Sequence, residues 1–341
     1  MRIDRREFVR ETATAALAAA VLKPLCAANA AEKEKKAVPE PDALPIVDTH
    51  QHLWDLRKLR LPWLKSAGHL NRNHLMSDYL KAAEGLGVVK TVYMEVAVAD
   101  DDLVKEAEYV IDLCRRKDNP MVAAVIGGRP AAEDFREYIT RFKDSPYIKG
   151  VRHILPGGKQ QGLWAESALV KSIRLLGELG MSFDLCMPPQ RLPDAAKLVD
   201  ACPDTRFVLD HCGNADPLAF RRPAGGKTDA KTRPPHHDPQ QWHRDIAALA
   251  KRKQVVCKIS GIIAQADKDH WKPEDLAPII NHCLEVFGPD RVIFASDWPV
   301  CTRVASLRQW VEALKQVVAE RSETERRKLF CDNAESFYRI A

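Results

Sequence analysis

Eight short apolar runs, rich in β-branched residues, recur along this chain, and a segment of helical periodicity follows each. They read "PIVDTHQHL" (45–53), "VVKTVYMEVA" (88–97), "MVAAVIGG" (121–128), "IKGVRHIL" (148–155), "MSFDLCM" (181–187), "RFVLDHCG" (206–213), "VVCKISGI" (255–262) and "RVIFASDWPV" (291–300). Their length and composition are those of strands. Between them, "DDLVKEAEYVIDLCRRK" spaces Leu103, Ala107, Val110, Ile111 and Cys114 at three- and four-residue intervals, and "ALVKSIRLLGELG" ends on Gly180, as a helix does. A last helix is expected over "SETERRKLFCDNAESFYRI".

Strict alternation of strand and helix implies parallel strands joined by right-handed crossovers. Eight such units in about 300 residues have the size and count of a (β/α)8 barrel. The competing doubly wound sheet needs a glycine-rich phosphate turn after an early strand, and Gly-x-Gly-x-x-Gly follows none of the first three runs. The expected fold class is therefore α/β, a TIM-type barrel over residues 45–341 with a C-terminal helix.

The residues ahead of the barrel read differently. "DRREFVR" sets paired arginines before an uncharged "TATAALAAAVL", and small residues at 28–30 suit cleavage, the pattern of a twin-arginine export signal over 1–30. A charged, proline-bearing linker, 31–44, follows. Periplasmic export is the expectation, with a cytoplasmic protein the alternative. Outside that leader, no stretch approaches the ~20 apolar residues of a membrane span. The formal charge of +5 falls to +3 without the leader's five bases and three acids, which gives no case for nucleic acid. Of nine cysteines, Cys186, Cys212, Cys257 and Cys301 lie in apolar runs, so few or no disulfides are expected.

In such a barrel, chemistry sits at the C-terminal ends of the strands. Run one ends in His50 and His52, run four carries Arg152 and His153, run six ends in Asp210 and His211, run seven carries Lys258, and run eight ends in Asp297. Residues i and i+2 of a strand share a face, so His50 and His52 can converge on one ion, whereas Arg152 and His153 face opposite ways. Three histidines and a carboxylate are a usual ligand set for zinc or a related divalent metal. Each residue also has a plainer reading: the histidines as hydrogen-bonded structural groups, and Asp297, in "SDWP", as a turn residue. Asp48 and Asp210 are candidates to orient the histidines or to form ordinary ion pairs. Lys258 could enter the mouth to bind an anionic substrate or cover a helix, and Trp54 and Trp298 could pack the core or wall a pocket.

The motifs "VDTHQHLWD", "KGVRHILP", "LDHCGNAD" and "FASDWPV", in this order, resemble the amidohydrolase superfamily, and within it the amidohydrolase-related branch that holds sugar-lactone hydrolases of the L-fuconolactonase and L-rhamnonolactonase kind. The resemblance implies a distorted barrel whose centre is His50, His52, His211 and Asp297. It also implies at most one metal ion: the carboxylated lysine or glutamate of binuclear members on strand four, and their histidine on strand five, have no counterpart in runs four and five. Metal-free operation is the alternative, since some lactonases of this branch are thought to work that way.

On this reading the substrate is a small lactone, a metal would lower the pKa of bound water to about 7, Asp297 would take the water's proton, and His153 or Arg152 would face the oxyanion. Arg221 and Arg222, in the long segment 214–241, are candidates to meet a substrate carboxylate; that segment is long enough for a lid. Two rivals stand beside this: a metal-dependent decarboxylase of aromatic or dienoic acids on the same scaffold, and an exported non-catalytic sugar-acid binder.

Overall fold

In a computed structural model of the chain, residues 44–154, 167–221 and 233–341 are described. The expected leader (1–30) and, apart from Leu44, the linker (31–44) lie outside them, as does Arg222.

Each apolar run forms a strand: β1 Ile46–Gln51, β2 Val88–Met94, β3 Met121–Gly127, β4 Ile148–Arg152, β5 Ser182–Leu185, β6 Arg206–Leu209, β7 Val255–Ile259 and β8 Val292–Phe294. They pair in parallel in the order β1 to β8. The last link is thinner than the others. β8 meets β1 through a bridge between Gln51 and Trp298, the His52 amide donating to the Trp298 carbonyl (2.8 Å), and Thr49 Oγ1 donating to the Phe294 carbonyl (2.6 Å). Asp48 Oδ1 accepts the Ser296 amide (2.8 Å) across the same seam. The barrel is thus nearly closed, and side chains of the two metal-ligand candidate strands finish the closure.

Helices cover the outside because each carries an apolar stripe. Leu103–Arg115 buries Ala107, Val110, Leu113 and Cys114 against the sheet, close to the periodicity read from sequence. It also buries Glu106, a charged residue on the apolar face, whose role appears at the strand ends. Trp242 in Pro239–Ala250 and Trp310 in Leu307–Val317 are fully buried and donate their indole N–H to the carbonyls of Cys212 and Ala295 (3.0 Å each). They pin two helices to the ends of β6 and β8; truncating either to alanine would cost about 3–5 kcal/mol.

Inside the barrel, Val47, Val92, Met94, Ala123, Val125, Val208, Val256 and Ile293 form one apolar cluster, sealed from the N-terminal side by Cys331, Ala334 and Tyr338. The closing helix is less regular than expected: Glu323–Arg327 and Asn333–Tyr338 flank a π turn over Lys328–Asp332. That turn buries Leu329, Phe330 and Cys331, so packing against the barrel floor overrides helical regularity here. Eight cysteines are described, all buried and with free thiols. Among the described residues no helix is long and apolar enough to cross a membrane.

Candidate active site

The strand ends gather the predicted groups at the C-terminal mouth. His50 and His52 leave β1 on the same face, their rings 4.8 Å apart, and the His211 ring lies 4.5 Å from His50. Asp297 Oδ1 is 3.2 Å from His52 Nε2 and 3.7 Å from His50 Nε2. All four are almost fully buried.

The backbone is bent to achieve this. His211, Cys212 and Asn214 after β6, and Asp297 after β8, have φ between 52° and 56°. A left-handed non-glycine residue costs about 1–3 kcal/mol and persists only where its surroundings impose it. The Gly213 amide donates to the Asp210 carbonyl (2.8 Å) and the Cys301 amide to the Asp297 carbonyl (2.9 Å), which hold these turns. Opposite them, Gly261 is itself left-handed (φ +68°), and a Cβ there would stand 2.4 Å from the His211 ring. Only glycine lets β7 pass that close.

Each ring has one nitrogen engaged away from the shared centre. His52 Nδ1 is 3.0 Å from the Met94 carbonyl, which can only accept, so Nδ1 carries a proton and Nε2 faces the mouth, 3.2 Å from Asp297 Oδ1. His211 Nδ1 is 2.9 Å from Ser260 Oγ, and His50 Nδ1 is 3.4 Å from Asp210 Oδ1. This is the orientation in which imidazoles ligate metals, their far nitrogen tied to an acceptor. The donor atoms of His50, His211 and Asp297 lie within 4.8 Å of one another. These three therefore fit one divalent ion, with His52 Nε2 beside them, 3.2 Å from Asp297 Oδ1. Arg152 Nη1 already lies 3.2 Å from His50 Nε2, which makes His50 the most contested of the donors.

Burial lowers the pKa of His50 well below its usual range, and the Lys258 and His211 charges push the same way. Burial also lowers His211. For Asp297, burial pulls upward but is outweighed by His211, by the hydrogen bond and charge of His52, and by Arg152, so its pKa falls below the usual carboxylate range. The mouth thus holds two imidazoles whose protonation burial disfavours, His50 and His211, beside a carboxylate biased toward ionisation, a combination suited to taking a proton from water.

Behind His50 lies a second charged group. Lys258 Nζ donates to Asp184 Oδ2 (2.6 Å) and stands 3.1 Å from Asp210 Oδ1 and 3.4 Å from His50 Nδ1, all fully buried. Its ammonium fills the space on the inner side of His50, so it neither enters the mouth nor covers a helix, the two places open to it from sequence. Arg152 is held by Glu95, its Nε on Oε1 and its Nη2 on the Glu95 carbonyl (2.8 Å each). Glu106 sits behind that pair, accepting the Val96 amide (2.8 Å), the Gly127 amide (3.1 Å) and Tyr93 Oη (3.1 Å). Burial, and then the charge of Glu95, raise its pKa to about 7. A side chain at Gly127 would press within 2.8 Å of Glu106 Oε2.

A cavity of about 810 Å³ opens above these groups, with His52, Arg152, His211 and Asp297 at its base. Trp54 lines it; Trp298 instead packs edge-on against His74 and Tyr79. Of the β4 pair, Arg152 faces the cavity while His153 turns away toward Arg129 (3.5 Å), as opposite faces require. Arg221 is paired with Asp267 (2.7 Å) outside the cavity. Asp48 orients the backbone rather than an imidazole, accepting from Tyr79 Oη (2.8 Å) and the His50 amide (3.2 Å). Sequence reasoning passed over Glu95, Asp184 and Ser260. Glu95 ends run two and Asp184 lies in run five, so the strand-end rule applied to every run would have found both.

Three comparisons bear on what the chain is. A family model described as amidohydrolase matches residues 47–340. An L-fucono-1,5-lactonase of Burkholderia multivorans is 26% identical over 292 residues, covering 81% of this chain and 91% of that protein. An L-rhamnono-gamma-lactonase of Scheffersomyces stipitis is 21% identical, covering 86% and 98%. The crystal structure of an amidohydrolase from Burkholderia multivorans with bound zinc superimposes with a TM-score of 0.74 at 22% identity, covering 87% of this chain and all of that one. With the model spanning the barrel from its first strand to its last helix, the chain belongs to the amidohydrolase family.

Proposed function

We propose that this protein is a hydrolase that opens a small lactone by attack of water on the ring carbonyl. The observation that carries the reading is an ionised, buried Asp297 3.2 Å from His52 Nε2 at the base of a cavity that also presents the Arg152 guanidinium. Two relatives named as lactonases, each matched over more than four-fifths of this chain, support the substrate class.

Asp297 orients the attacking water, accepts its proton and returns it to the alkoxide that leaves the ring. His52, fixed by the Met94 carbonyl, holds Asp297 in place. Arg152 supplies positive charge where the carbonyl oxygen becomes negative. Its other nitrogens are locked on Glu95, so little reorganisation is needed when that charge appears. His153, turned toward Arg129, has no part in this step. A lactone leaves as an alkoxide tethered to the product acid, a far easier departure than an amide's, and this suits a site with a single strong base.

His50, His52, His211 and Asp297 would hold one divalent ion, which would acidify the water and polarise the carbonyl. The donor chemistry supports a divalent metal, and zinc is our assignment within that class, supported by the zinc in the Burkholderia multivorans amidohydrolase. Lys258 and Arg152 place cations on either side of His50, which opposes a second ion next to it.

A pH-indicator screen of lactones, with CO2 release followed in parallel on aromatic acids, tests the reading. Acid release from a lactone is the expected result. CO2 release without lactone opening would replace it with decarboxylation.

A further inference from the structure

The walls of the cavity differ from its base. Above the charged base, most of the described lining is apolar, Trp54, Trp63, Val96, Met187, Pro188 and Val300 among it. Both indole N–H groups point out of the cavity and are used: Trp63 Nε1 donates to the Val96 carbonyl (2.8 Å) and Trp54 Nε1 to the Arg72 carbonyl (2.6 Å). Four polar side chains also reach the wall, Asn214, Gln265, His236 and Arg303, and the first three are partly engaged. Asn214 Nδ2 donates to the Met187 carbonyl (2.8 Å), Gln265 Nε2 to the Ala215 carbonyl (3.5 Å), and His236 Nδ1 lies 2.9 Å from Asp216 Oδ2.

A sugar lactone bears a hydroxyl on most ring carbons. Each hydroxyl that loses water against an apolar wall without gaining a partner weakens binding, whereas an alkyl or aryl group gains by the same contact. The juxtaposition of a charged base that can open an ester with an apolar, aromatic wall above it has a direct chemical meaning. We infer that the substrate is a lactone carrying a sizeable apolar substituent, packed against Trp63 and its neighbours, rather than a bare polyhydroxylated ring. This deepens the lactone-opening reading above and rests on it.

The experiment uses the full chain and three six-membered lactones that all leave as alkoxides: unsubstituted δ-valerolactone, δ-decalactone with its pentyl chain, and glucono-δ-lactone. The expected result is a kcat/KM for δ-decalactone at least about tenfold above that for glucono-δ-lactone, the scale on which apolar pockets discriminate. Trp63→Ala should lower the δ-decalactone value about tenfold more than the δ-valerolactone value, mainly through KM, and Trp63→Phe should restore most of it. Glucono-δ-lactone turned over as well as δ-decalactone would overturn the inference and leave lactone opening standing. An equal loss on all three lactones in Trp63→Ala, with an unchanged melting midpoint, would also overturn it. Failure to open any of the three would instead bring down the reading beneath it.

Discussion

His50 divides two charged clusters of similar composition and opposite character. On its outer side, His52, His211 and Asp297 surround a point open to a cavity of about 810 Å³. On its inner side, Lys258, Asp184 and Asp210 lie fully buried between barrel strands, with no path to that cavity among the described residues. Both contain carboxylates and a cationic or basic partner. In the outer cluster the carboxylate faces imidazoles and an open cavity; in the inner one each carboxylate faces a buried ammonium. Charge near a strand end says little until its exposure is known: the outer groups face the cavity and the inner ones hold one another.

That division is open to direct attack. The largest expected effect is from Asp297→Asn, which keeps shape and removes the base: kcat/KM for the best lactone should fall by about a thousandfold or more, with the thermal midpoint little changed. Arg152→Met should act on both sides of the divide, lowering kcat by about a hundredfold and, because Glu95 is left buried and unpaired, costing about 3–5 kcal/mol in urea unfolding. Lys258→Met strands Asp184 and Asp210 and should cost a similar about 3–5 kcal/mol. Its activity, measured well below the lowered midpoint, should fall far less than that of Asp297→Asn. A Lys258 variant that is stable but inactive would move Lys258 into the chemistry.

The smallest effect concerns Glu106. Its pKa is raised from an ordinary carboxylate value to about 7, so the folded state holds that proton more tightly than the unfolded chain. The penalty is absent below the unfolded pKa, grows as pH rises, and is complete above about 7. Urea midpoints measured from pH 5 to 8 should therefore decline more steeply in the wild type than in Glu106→Gln.

Much of this was legible because the barrel imposes two periodicities that sequence displays openly. The alternating runs gave all eight strands, and the two-residue period of a strand placed His50 beside His52 and set Arg152 and His153 on opposite faces. Depth was not legible. "CKISG" shows that Lys258 lies on a strand, but whether its ammonium reaches the mouth depends on Asp184 and Asp210, which arrive from other strands 74 and 48 residues away in sequence. Glu106 was hidden for a related reason. It sits on a helix whose apolar positions Ala107, Val110 and Cys114 read correctly, and its burial follows from the strand-end amides of Val96 and Gly127, a tertiary demand that overrides the helix's own pattern. Arg221 looked free in a basic loop and is bound to Asp267 from the next connection.

On the proposed mechanism His52 and Asp297, brought together from the first and last strands, act as one unit. A double-mutant cycle on kcat/KM with His52→Gln and Asp297→Asn measures this most directly. The account predicts that the double variant is scarcely slower than Asp297→Asn alone, because residues working as a unit lose their function together. Losses that multiply across the two substitutions would show independent roles and contradict it.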